Sequence, residues 1–76
     1  MVVKQNNIEL YLEVEKPNLW TFSIINISGK IISKETSYVS QENMLKNISI
    51  SHISSGLYLI NVKSKTMIKS LKFLKQ

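Results

Sequence analysis

Seventy-six residues with ten lysines, five glutamates and no cysteine describe one small domain with a thin core and no disulfide to reinforce it. Zinc sites built on thiolates are excluded, and no apolar run approaches the roughly 20 residues of a membrane-spanning helix. The charge of +5 is carried without a single arginine, the residue that nucleic-acid binders favour for phosphate and base forks, so a solvated surface is the expectation.

Residues 1–7 carry no apolar pattern and no h-region of a signal peptide, so an export address for this chain would lie elsewhere in a longer precursor or in its own fold. A single domain over residues 1–76 is expected, with its ordered core from about residue 8 to residue 75. Period-2 alternation opens it. Ile8, Leu10, Leu12 and Val14 share one face, and Glu9, Tyr11, Glu13 and Glu15 share the other, as in a half-buried strand. Pro17-Asn18 breaks the run. Residues 20–27 read as a second strand with Trp20, Phe22 and Ile24 in one parity and Ile25 and Ile27 in the other, the signature of a β-bulge or of a strand covered on both faces. Ser28-Gly29 marks a tight turn, and residues 30–34 return as the third strand.

Residues 35–43 are polar and read as an irregular surface segment, with Tyr38 and Val39 as anchors. Leu45, Ile48 and Ile50 mark a fourth strand, and residues 52–56 a loop plugged by Ile53. Residues 57–63 form a fifth strand with Tyr58, Ile60 and Val62 on one face. Residues 65–75 fit two patterns: a helical stripe of Met67, Ile68, Leu71 and Leu74, or a strand alternating Met67, Leu71 and Phe73 with lysine. Short strands at this spacing predict an all-β antiparallel sandwich of six to eight strands, with Trp20, Ile50, Ile53 and Tyr58 largely buried.

Chemistry finds little footing. His52 is the single histidine, aspartate is absent, and the neighbouring Ser51, Ser54 and Ser55 form no nucleophile elbow. Glu9, Glu13 and Glu15 lack the Asp- and Gly-rich loop that calcium prefers. No catalytic residue, cofactor or metal site is assigned.

Three stretches together carry a resemblance: residues 24–32, with their Ser28-Gly29-Lys30 turn; residues 48–60, where a serine-bearing strand end meets Ile53, a short turn, Gly56 and Tyr58; and Lys72-Phe73-Leu74-Lys75. Over residues 8–76 the chain resembles the type IX secretion system C-terminal sorting domain, type A, of Bacteroidetes bacteria. In this chain Pro17-Asn18 follows the first strand, whereas that family opens with a Pro-Asn-Pro-like segment before it. The resemblance implies an Ig-like sandwich with a strand at its C-terminus. It implies a non-catalytic signal that takes an upstream, covalently linked cargo through the periplasm and across the outer membrane. The implied partners are a translocon and a sortase-type peptidase, with no nucleic acid and no stable membrane insertion, and the implied destination is the cell surface or beyond. On this basis Lys69, Lys72, Phe73, Leu74 and Lys75 are candidates for translocon recognition, while Gly29, Lys30, Ile53, Gly56 and Tyr58 are expected to be structural. The alternative is an accessory sandwich that binds carbohydrate or protein on a secreted enzyme.

Overall fold

A computed structural model describes residues 1–40 and 43–76. Its strands are β1 (Val2–Val3), β2 (Asn7–Glu13), β3 (Asn18–Asn26), β4 (Ile31–Val39), β5 (Asn43–Ser49), β6 (Gly56–Lys63) and β7 (Ile68–Lys75). They form two antiparallel sheets, ordered β1-β2-β5 and β4-β3-β6-β7. Alternate residues of each sheet face the other. Ile8, Leu10, Leu12 and Ile48 from the first meet Trp20, Phe22, Ile24, Ile60, Val62 and Phe73 from the second in one shared core. The fold is a small Ig-like β-sandwich.

The first strand follows its alternation: Ile8, Leu10, Leu12 and Val14 are all buried. The bulge foreseen in the second strand lies between Ile24 and Ile25, where the pairing of β3 with β4 slips. It does not give that strand a second covered face, because Ile27 falls in the following turn and is 80% exposed. The C-terminal segment is a strand, paired with β6 from Lys63↔Ile68 to Gly56↔Lys75.

Four details differ from the sequence pattern. A two-residue β1 precedes the first patterned strand and pairs with Ile8 and Glu9. The third strand continues through Val39, so most of the segment expected to be irregular is regular sheet. It is an edge strand whose inward positions are the polar Ser33, Glu35 and Ser37 before the buried Val39, so most of it lacks the apolar alternation that announces a strand; of the two expected anchors Val39 enters the core and Tyr38 is exposed. Gln41 and Glu42, from the same expected surface segment, lie outside the described residues. In β5, Leu45 faces outward opposite Tyr11, and the core is met by Met44, Lys46 and Ile48. Finally, Ile53 is half-buried against the core, whereas Trp20, Ile50 and Tyr58 are buried as expected.

Trp20 is buried in the core, yet its Nε1 has no hydrogen-bond partner among the described residues. Leaving such a donor unpaired costs about 1–3 kcal/mol, a real burden for a core this thin. The bulk of the stabilisation therefore rests on the interlayer side chains. Phe22→Ala is expected to destabilise by about 3–5 kcal/mol, or to prevent folding altogether. Ile27→Ala, on the exposed turn, is expected to change stability by no more than about 0.5 kcal/mol. Urea unfolding of the two variants checks both values.

Candidate recognition edge

Three motif regions of the sequence take up distinct positions. The Ser28-Gly29-Lys30 turn is held by Asn26. Its backbone N–H donates to the Lys30 carbonyl at 2.9 Å, and its side-chain Oδ1 accepts from the N–H groups of Ser28 and Lys30, both at 3.0 Å. Gly29 sits at φ 85°, a conformation other residues adopt only with strain. Lys30 contributes its backbone to this turn and its ammonium to solvent.

The second motif folds on itself. Gly56 takes φ 152°, a region essentially reserved for glycine, and so turns the chain into β6. The Tyr58 ring lies against Gly56, and its hydroxyl donates to the Ser54 carbonyl at 2.7 Å. Ile53 donates its N–H to the Ile50 carbonyl at 3.3 Å and rests its side chain on the core. The Tyr58 ring also stacks on Phe73 of β7, with centroids 5.6 Å apart. Tyr58 thereby ties the β5–β6 loop to the C-terminal strand.

β7 divides the third motif by parity. Phe73 and Lys75 point inward, and both are buried. Lys72 and Leu74 point outward and are exposed. Lys69 shares the inward parity but lies beyond the closed part of the core, where it is exposed. Lys75 is a structural clamp: its ammonium donates to the Gln5 carbonyl at 2.8 Å and to the Ile50 carbonyl at 3.0 Å. One side chain thus joins the N-terminal arm, the end of β5 and the last strand. Of the five residues named as recognition candidates, Phe73 and Lys75 are thus buried, and Lys69, Lys72 and Leu74 are exposed. The parity of Leu71 and Phe73 is the sequence signal that places Lys75 inside.

β7 is also an edge strand. The Ser64 N–H donates to the Met67 carbonyl across the β6–β7 turn, which sets the sidedness of the ladder. Odd-numbered residues of β7 bond to β6, and Ile68, Ser70, Lys72 and Leu74 turn their backbone groups away from it. β1 lies beside β7 without pairing to it.

A family profile described as "Secretion system C-terminal sorting domain" matches residues 4–76. The chain belongs to that family. No curated protein and no solved structure gives a match. The sorting domain is a C-terminal signal for type IX secretion, a non-catalytic tag that works with the type IX machinery on a cargo protein. Its destination is across the outer membrane, at the cell surface or secreted. His52 is exposed in the β5–β6 loop, and the Ser49 and Ser51 hydroxyls bond each other at 3.2 Å.

A second inward lysine lies on the opposite side of the sorting domain. Lys46 of β5 bonds Glu35 of β4, donates to Ser37 Oγ at 3.3 Å, and sits 5.5 Å from the centroid of the Phe22 ring. The hydrogen bond from Lys46 holds the Glu35 carboxyl below its ordinary value of 4.5, against a smaller opposing effect of burial. The Lys46 charge and the Ser37 hydroxyl add to the lowering. A depressed carboxylate stabilises the fold above its unfolded value, and that stabilisation is lost as pH falls through the folded value. The Glu35 side chain is 44% exposed, so the contribution stays within the range of solvent-screened pairs, about 0.2–1 kcal/mol. Glu35→Gln is expected to remove the part of the stability loss that sets in as pH falls below the ordinary carboxylate value of 4.5, measured by urea unfolding on either side of it.

The clamp gives a second expectation. Lys75→Met keeps the aliphatic stem but withdraws the donor from two carbonyls, and should cost about 1–3 kcal/mol. Lys72→Met on the outward face should stay within about 0.5 kcal/mol. Equal unfolding midpoints for the two variants would remove Lys75 from the structural role.

Proposed function

We propose that this is a type A sorting domain and that the translocon engages it along the open edge of β7. The observation that carries this reading is the division of the C-terminal motif by strand parity. Phe73 and Lys75 hold β7 on the sandwich, while Lys72 and Leu74 stand outward beside backbone that no strand pairs with among the described residues. Strand addition suits such an edge: main-chain hydrogen bonds give affinity, and side chains at alternate positions give selectivity. Lysine at Lys69 and Lys72 keeps the same edge from pairing with other copies before the partner is met. The domain passes through the periplasm with its cargo, and a sortase-type peptidase removes it at the surface. The motif resemblance supports that route, and mass spectrometry of the surface product would test it by the presence or loss of the domain.

Lys72→Pro tests the edge directly. Proline removes an N–H that faces away from β6, so the β6–β7 ladder keeps its bonds, and proline is tolerated on edge strands in that orientation. The domain is fused behind a periplasm-targeted reporter in a bacterium with a working type IX system. The intact domain is expected in the medium or on the surface. The Lys72→Pro variant is expected to keep its unfolding midpoint within a few degrees and to lose export by at least about tenfold, equivalent to one lost interaction of about 1.4 kcal/mol. Normal export of a folded Lys72→Pro domain would move recognition away from this edge.

A further inference from the structure

The seam between β2 and β7 is open at the end away from Lys75. β1 covers β2 only at Ile8 and Glu9. The sidedness of β2 is set by two bonds: the Asn6 carbonyl accepts from Ile50 N–H toward β5, and the Asn7 carbonyl accepts from Lys4 N–H toward β1. Alternation carries this along the strand, so Tyr11 and Glu13 present their backbone N–H and C=O on the β1 side. Among the described residues no strand pairs with them there. Beside them lies an open cavity of about 730 Å³ of mixed lining, with Leu12, Trp20 and Leu71 on its apolar part and Glu13, Glu15 and Lys69 on its charged part. Met1 stands in its wall, so β1 leads the chain into it.

We propose that the segment joining this domain to its cargo completes β1 and fills this cavity. The proposal rests on the sorting function, which places a cargo before the domain. The existing ladder dictates the geometry. Val2 pairs with Glu9 and Val3 with Ile8, so the residue immediately before Met1 falls opposite Tyr11, and the third residue before Met1 falls opposite Glu13. Those two residues exchange hydrogen bonds with the unpaired backbone of β2. The second and fourth residues before Met1 fall opposite Leu12 and Val14 and turn inward over the cavity, where apolar side chains are expected. An edge with a partly apolar wall and, among the described residues, unpaired backbone on one side accepts an extended segment in this way. Backbone paired in the seam is withheld from a peptidase, so removal of the domain requires a cut upstream of it.

Hydrogen–deuterium exchange on the cargo-linked protein tests the proposal, read at the amides of Tyr11 and Glu13. Both are expected to exchange slowly. Proline at the first and third residues before Met1 withdraws the pairing N–H groups and should speed exchange at Tyr11 and Glu13 at least about tenfold. The amides of Phe22 and Ile60, on central strands, should be unmoved and so report that the domain remains folded. Fast exchange at Tyr11 and Glu13 in the unmodified protein, or no response to the prolines, overturns the proposal. Protection that rises with protein concentration assigns the seam to a second copy and overturns it equally. Export of the same protein is scored separately. An exported protein with fast exchange at these amides sinks the seam alone, and a protein with slow exchange that is never exported sinks the sorting function alone.

Discussion

Two inward-facing lysines close the two seams of this sandwich, and the thin core depends on both. A three-stranded sheet laid on a four-stranded one leaves an exposed margin on each side. On the β4–β5 side, Lys46 spans the gap to Glu35 and Ser37 with its ammonium close to the Phe22 ring. On the β1–β7 side, Lys75 spans it to the Gln5 and Ile50 carbonyls. Each stem extends the apolar core, and each charged head meets oxygen acceptors at the rim, the arrangement that long amphipathic side chains permit. A chain of this size without disulfides has few other means of holding its layers in register. Inward charges at sheet edges also discourage pairing with foreign strands, so the same residues that close the seams protect them.

The two seams differ in completeness. Lys46 has a charged partner, and β4 pairs along nearly the whole of β3. On the other side β1 is two residues long and covers one end of β2, where Lys75, Phe73 and Tyr58 converge. Tyr58 reaches the Ser54 carbonyl, Phe73 stacks on Tyr58, and Lys75 reaches Ile50, so loop, penultimate strand and last strand form one connected end. Past that end the layers are joined by packing alone, and the cavity opens. Order at one end and an uncovered edge at the other follow from the same short β1.

Much of this was legible in the sequence because period-2 alternation is an elementary consequence of strand geometry. The face made by Ile8, Leu10, Leu12 and Val14, the one made by Tyr58, Ile60 and Val62, and the slip between Ile24 and Ile25 are visible from apolar spacing. β4 was not, because its inward Ser33, Glu35 and Ser37 are polar and it is placed largely by backbone pairing with β3, to which spacing is blind. Nor was β1, since a two-residue strand has no period. The inward direction of Lys46 and Lys75 was recoverable in principle, from Met44 and Ile48 on one strand and Leu71 and Phe73 on the other. It was obscured by the ordinary expectation that lysine faces water. Carbonyls at Gln5 and Ile50 leave no trace in a side-chain pattern, so the clamp itself required the fold.

The same division explains why the distinctive residues of this chain are so largely structural. Gly29 and Gly56 take backbone conformations that a side chain would strain. Tyr58, Phe73 and Lys75 fix the position of β7. The Tyr58, Phe73 and Lys75 side chains are buried in the fold. A recognition surface read through backbone needs only that a strand stand at the rim, extended and unpaired, and every peptide bond offers the same donor and acceptor. Residues that build and place the edge are then under strict demand, while those lying along it can vary within limits of charge and size. In this chain the strand at the rim is held by Lys75, whose ammonium bonds the Gln5 and Ile50 carbonyls, so the placing of β7 rests on a side chain turned away from the open edge.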